Sequence, residues 1–213
     1  MKTNKSILIS GCGGKVGGAA ARLFRQRGWN VIGLDLTGDC PSADRSYPCD
    51  MRDSKAVLEV IRLIEGEQPL DAVFHSAGVT LETGFEETDM KGWQRVMKTI
   101  FGGAANLCRA EAPYMVKRKS GKIILLAPDY RWEERECIME ASAAGMLHGF
   151  AKCFGAEVAE DNVLVNALAP NVPIDSAALT ETVFYLADQD TYTAAQVISI
   201  GGAKKQEVTS DEV

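Results

Sequence analysis

The stretch Ser6-Ile7-Leu8-Ile9-Ser10-Gly11-Cys12-Gly13-Gly14-Lys15-Val16-Gly17 decides how the chain folds. A short apolar run enters a glycine-rich turn. A helical pattern follows, with Val16, Ala19, Ala20, Leu23 and Phe24 on one face and Gly28 as its stop. Working outward, residues 30–36, 70–75, 122–127, 163–168 and 196–200 read as further strands. Asp53 is placed to cap a helix that buries Val57, Leu58, Ile61 and Ile64. Residues 93–116 and 136–157 read as longer helices. Strand and helix alternate throughout, which predicts an α/β fold whose parallel sheet is covered by helices on both faces. No internal repeat or linker divides the chain, so one domain over 1–203 with a polar tail at 204–213 is expected.

Composition narrows the function classes. The chain has 213 residues and a net charge of −6, from 23 Lys and Arg against 29 Asp and Glu. An acidic balance disfavours a nucleic-acid partner. Apolar residues make up 46% and charged ones 24%, the balance of a globular chain and not of a disordered one. The run 7–9 is too short for a signal segment, and no stretch is long enough to span a membrane. Six cysteines (Cys12, Cys40, Cys49, Cys108, Cys137 and Cys153) lack any Cys-x-x-Cys pair, and His75 and His148 are the only histidines. Free thiols, a cytoplasmic location and no metal site are the expectation.

The glycine spacing G-x-x-G-x-x-G between a strand and a helix suits a dinucleotide. Gly11 allows the tight turn that leaves Ser10. Gly14 lets the backbone N–H groups of Lys15 and Val16 approach a pyrophosphate, and Gly17 lets the helix pack on the sheet. Asp35, eighteen residues after Gly17, is placed to accept both hydroxyls of an adenosine ribose and to repel a 2′-phosphate. NAD(H) is therefore expected over its 2′-phosphorylated form, with Lys15 able to soften the preference by reaching a phosphate. Cys12, at a helix N terminus, is read as a small space-filling residue, although such a position can acidify a thiol.

With these features in order, the chain resembles the short-chain dehydrogenase/reductase family over nearly its whole length. Cys49-Asp50-Met51 is similar to the family's acidic adenine-contacting turn, and His75-Ser76-Ala77-Gly78 matches its Asn-Asn-Ala-Gly turn in the last two positions. Trp93 stands where its long interface helix begins, residues 121–124 open its central strand, and residues 165–170 match its late strand. Tyr185-Leu186-Ala187-Asp188 and Ile200-Gly201-Gly202 match its closing pattern. The resemblance implies a Rossmann-type doubly wound sheet of about seven strands. It also implies nucleotide contacts at Ser10, Gly11, Gly14, Lys15, Val16, Gly17, Asp35, Asp50, Met51, Ala77 and Gly78.

The family's hydride chemistry uses an Asn-Ser-Tyr-Lys tetrad, in which tyrosine is the acid/base and lysine lowers its pKa. Counting from Trp93, from Gly121 and from Ala141-Ser142 places Ile100, Pro128, Met139 and Ala143 at those positions. None of these side chains exchanges a proton. Pro173, in Pro170-Asn171-Val172-Pro173-Ile174-Asp175, lacks the N–H that the family uses to hold the nicotinamide carboxamide. Asp175 adds a negative charge near the phosphates. The substrate-covering segment is nearly absent, because residues 177–187 already read as a helix.

Three functional readings follow. The first is a non-catalytic subunit that keeps the nucleotide half-site. It would assemble as a homo- or hetero-oligomer through the two long helices, by way of Ala104, Ala105, Leu107, Ala112, Ala144, Gly145, Phe150 and Phe154, with an active homologue as its partner. The second is a non-redox isomerase, dehydratase or cyclase built on the 129–136 loop, with Tyr130 beside Arg131 as the acid and Asp129 or Glu140 as the base. The third is an NAD(H)-dependent oxidoreductase with a relocated proton donor. His75 is read as a turn residue, and His148, nine residues past Met139, as facing away from the site.

Overall fold

A computed structural model describes residues 5–81, 83–128, 137–170, 177–188 and 192–201. Seven parallel strands form one sheet in the order β3-β2-β1-β4-β5-β6-β7. They are β1 (Ser6–Ser10), β2 (Asn30–Asp35), β3 (Arg45–Pro48), β4 (Ala72–His75), β5 (Gly121–Leu126), β6 (Val163–Pro170) and β7 (Gln196–Ile200). The apolar run of β1 is buried on both faces, as a central parallel strand requires. Ile7 and Ile9 face one layer, with α1 (Lys15–Gln26) and α6 (Ala177–Asp188). Leu8 faces the other, with α2 (Ser54–Glu67), α4 (Gly103–Arg118) and α5 (Ile138–Val158). Period-two side-chain alternation thus divides the core into two layers.

The first layer centres on Phe24, whose ring meets Trp29 edge-on at 5.2 Å and Phe184 at 5.1 Å. Only Val16, Ala20 and Phe24 of the anticipated α1 stripe are buried, and Ala19 and Leu23 are half-buried. Asp53 caps α2 by accepting from the backbone N–H groups of Lys55 and Ala56. Leu58, expected on its buried stripe, is 37% exposed, because the stripe follows Val57, Ile61 and Ile64.

The helix anticipated at 93–116 starts earlier and is not uniform. Asp89 caps α3 (Met90–Met97) through Gly92 N–H at 2.7 Å, so Trp93 lies within the helix and does not open it. The helix then widens into a π turn over Lys98–Gly102 before α4. The strand at β3 was not anticipated. Its sequence, Arg45-Ser46-Tyr47-Pro48, has no apolar alternation and pairs only with β2, as a proline-containing edge strand does. At the rim where strands begin, Lys119 and Asn162 adopt left-handed backbone, and Asn162 Nδ2 donates to the Lys119 carbonyl at 3.1 Å. No helix among the described residues is long and apolar enough to cross a membrane.

Candidate functional site: a groove along the strand ends

The chain reverses direction across the sheet between β1 and β4, and a groove opens there beyond their C-terminal ends. Gly11 turns the chain out of β1 with φ +72°, and a Cβ on it would come within 2.7 Å of Ala77 Cα. A Cβ on Gly17 would collide with the Gly11 carbonyl oxygen. These two glycines let the loop lie against the Ser76–Ala77 turn. Gly14 is the N-cap of α1 and supplies no side-chain cap, so the first N–H groups of that helix face the groove unpaired by a side chain. Lys15 is exposed beside them.

One part of the groove, of about 440 Å³, is lined by Gly11, Gly14, Asp35, Asp50, Met51, Ala77 and Gly78, with Arg95 and Thr99 closing it. The adjoining part, of about 560 Å³, is lined by Gly11, Gly14, Lys15, Val16, Gly17, Ala77 and Gly78 and ends at Ile100, Leu126 and Pro128. Ten of the eleven anticipated contact residues therefore meet in one place. Ser10 does not line the groove. It is fully buried, and its hydroxyl is committed to His75 Nδ1 at 2.8 Å.

Asp35 is fixed at the mouth of the first part of the groove, where its carboxylate accepts from Gly13 N–H at 3.0 Å and from Leu36 N–H at 2.8 Å. A carboxylate has further lone pairs, so ribose hydroxyls can still donate to it. Asp50 is gripped by Arg52, and this ion pair holds its carboxyl below the usual range. Met51 is fixed through its carbonyl, which accepts from Asn106 Nδ2 at 2.9 Å. Arg95 and Thr99 were missed by the sequence reading, although their i, i+4 spacing puts them on one helical face.

Under the floor, His75 Nε2 donates to the Ile100 carbonyl at 3.2 Å, so Nδ1 accepts from Ser10. Burial pushes the imidazole down to about 4, which leaves it neutral. His75 ends β4 as a fully enclosed brace and not as an open turn residue. His148 is not turned away as expected. Its Nε2 donates to the Ala127 carbonyl at 2.9 Å, at the end of β5 beside Pro128. Counting from Met139 misled because the inward face of α5 is broad, with Met139, Ala143, Ala144 and Leu147 all buried.

Of the tetrad positions, Ile100 and Pro128 line the groove. Met139 lines a separate apolar pocket of about 270 Å³ with Phe85, Met90 and Trp93, and Ala143 is fully buried. Asp129, Tyr130 and Arg131, like Pro173 and Asp175, lie outside the described residues. Cys12 and Cys40 pack together over Gly33, and burial pushes the Cys12 thiol up to about 12, in keeping with a space-filling role. No group of three possible metal ligands occurs among the described residues.

The comparisons agree with this architecture. The short chain dehydrogenase family model matches residues 5–183, and the chain belongs to that family. It is 24% identical to the 3-oxoacyl-[acyl-carrier-protein] reductase FabG of Thermotoga maritima, across 93% of this chain and 96% of that protein. Among solved structures, a putative short-chain dehydrogenase/reductase from Burkholderia xenovorans superposes with a TM-score of 0.83 at 20% identity, covering 94% and 96% of the two chains. ElxO with NADP bound gives 0.82 at 19% identity, covering 94% and 97%.

Proposed function

We propose that the chain holds an adenine dinucleotide of the NAD type in this groove and does not run tyrosine-dependent hydride transfer. In this reading it serves as a non-catalytic subunit beside an active homologue. One observation carries it: the two ends of the groove differ in chemistry. At one end Asp35, the open N terminus of α1 and exposed Lys15 suit a ribose and a pyrophosphate. At the other, the described lining is Ile100, Leu126, Pro128 and the Thr80 hydroxyl, none of them an acid or base near neutral pH. A bound nicotinamide nucleotide would supply hydride chemistry, and the chain's own residues would bind and orient it.

Assembly is proposed through the outer faces of the two long helical segments, where Phe101 in the π turn and Phe150 and Phe154 on α5 are half-buried. Phe150 stacks on Phe154 at 5.1 Å and meets Phe101 edge-on at 5.9 Å. Ala104, Leu107, Ala112 and Ala144 drop out of the anticipated contact set, since each packs into the chain's own core. Calorimetry with AMP, ADP-ribose, NAD⁺ and NADP⁺ tests the nucleotide reading. AMP is expected to bind, NAD⁺ to bind within about a hundredfold of it, and NADP⁺ more weakly. No binding of AMP or ADP-ribose overturns it. Purification from native lysate of the source cells tests the subunit reading, which fails if the chain emerges alone.

A further inference from the structure

Cys12 and Cys40 belong to different loops and meet in one place. Cys12 lies in the glycine turn that leaves β1, and Cys40 in the loop between β2 and β3. Both crowd Gly33 on β2, where a Cβ would stand 2.8 Å from Cys40 Sγ and 3.0 Å from Cys12 Sγ. The two thiols hydrogen-bond to each other. The backbones are just as close one residue away, since a Cβ on Gly13 would come within 2.8 Å of the Asp39 carbonyl oxygen. A disulfide needs both sulfurs and both chain segments near each other, and this pair has both.

The two thiols are not equivalent. Cys12 is 1% exposed, while Cys40 is 4% exposed and stands between exposed Asp39 and Pro41. Burial pushes the Cys12 thiol up to about 12. Burial raises Cys40 as well, but the hydrogen bond from Cys12 pulls it the other way. Cys40 is thus the thiol that meets a small oxidant, and Cys12 is the one that waits behind it.

We propose that Cys12 and Cys40 form a reversible disulfide under hydrogen peroxide, and that closing it weakens nucleotide binding in the groove. The Cys40 thiolate attacks a peroxide oxygen, and the O–O bond breaks to leave a sulfenic acid and hydroxide, which takes up the Cys40 proton as water. The Cys12 sulfur then attacks the Cys40 sulfur. The S–O bond breaks, the S–S bond forms, and the hydroxyl leaves as a second water with the Cys12 proton. Two thiols are oxidised and one peroxide is reduced. Both thiols are held protonated, so the reaction is slow and answers sustained exposure. The effect on binding rests on the nucleotide reading. An S–S bond of about 2 Å draws Cys12 toward Cys40, and the adjacent Gly13 N–H is bonded to Asp35, the proposed ribose acceptor.

The test is peptide mapping of the full chain, held folded in hydrogen peroxide, then alkylated and digested with trypsin without reductant. Residues 6–15 and 28–45 are separate tryptic peptides with one cysteine each. They are expected as one linked species that dithiothreitol splits and that Cys40→Ser does not form. Recovery of the two peptides unlinked from the wild type, or linked only after unfolding in denaturant, overturns the proposal. Calorimetry with ADP-ribose reads the effect on binding. The cross-linked chain is expected to bind about tenfold more weakly than the reduced one, the weight of one hydrogen bond to a charged group. Cys40→Ser should keep its affinity through the same treatment. Unchanged affinity in the cross-linked chain, or an equal loss in the variant, overturns the coupling. Failure of the reduced chain to bind ADP-ribose removes the nucleotide reading and the coupling with it, while the mapped cross-link stands.

Discussion

His75 and Ile100 meet at 3.2 Å where the helix over residues 90–118 widens into a π turn, and this contact ties β4 to the helix that forms one wall of the groove. The Ile100 carbonyl also accepts from the Gly103 backbone N–H, so the imidazole N–H is a second donor to the same oxygen. Ser10 completes the connection on the other side of the ring, so β1, β4 and the helix are joined through one neutral histidine.

That histidine contributes to the loss of stability in acid. Its folded pKa of about 4 lies below the ordinary value of 6.5, so its contribution is complete above 6.5 and is lost as pH falls toward 4. Denaturant melts between pH 4 and 8 should show this fall, and His75→Ala should abolish the His75 part of the slope. The variant should cost about 2–4 kcal/mol near neutrality, because the buried Ser10 hydroxyl loses its partner and a cavity replaces the ring.

Glu111 acts in the opposite sense. Burial, with Glu65 close by, raises its carboxyl to about 9 despite Arg118, so it is protonated in the fold and ionised when unfolded at neutral pH. Its contribution is complete below the ordinary value of 4.5 and declines as pH rises through about 9. Glu111→Gln should flatten the alkaline side of the stability profile. Replacing Arg118 with methionine should cost about 3–5 kcal/mol, since it strips the cluster of its cation.

Asp35 should govern affinity for every ligand that carries an adenosine ribose. Asp35→Ala is expected to weaken AMP and NAD⁺ alike by about tenfold or more, since hydrogen bonds to a charged group contribute about 1.5–3 kcal/mol. Calorimetry on the variant checks this. A loss confined to NAD⁺ would place the ribose elsewhere.

Thiol labelling should follow burial and proton affinity. Cys153 is exposed and should react first with an alkylating reagent at pH 8, whereas Cys12 and Cys108, both pushed up to about 12, should react only on unfolding. Peptide mapping over a time course reads the order.

The parts of this fold that a reader could take from the amino acids are those in which a short stretch dictates its own role. Ile7 to Ile9 are apolar without interruption and Val163 to Ala169 are broken only by Asn166, the pattern of strands covered on both faces. The glycine turn is equally local, because Gly11 and Gly17 are required by contacts within a few residues or with one neighbouring turn. Arg45 to Pro48 was illegible, since an edge strand joined on one side needs no apolar code. The Ser10–His75–Ile100 connection and the Glu65–Arg118–Glu111 cluster join residues from separate elements, and no period in the chain announces them. Glu140 stands one residue from Met139, a 100° step on a helix, and only packing tells which of the two faces the loop at Leu81.

The bond between Asn162 and Lys119 lies at the rim opposite the groove, where two chain reversals sit side by side. A reporter peptide spliced into either reversal, or new termini opened there, would disturb only surface turns and leave the ligand-facing edge of the sheet untouched. Fluorescent sensors for the nucleotide proposed to bind there could be built outward from that rim.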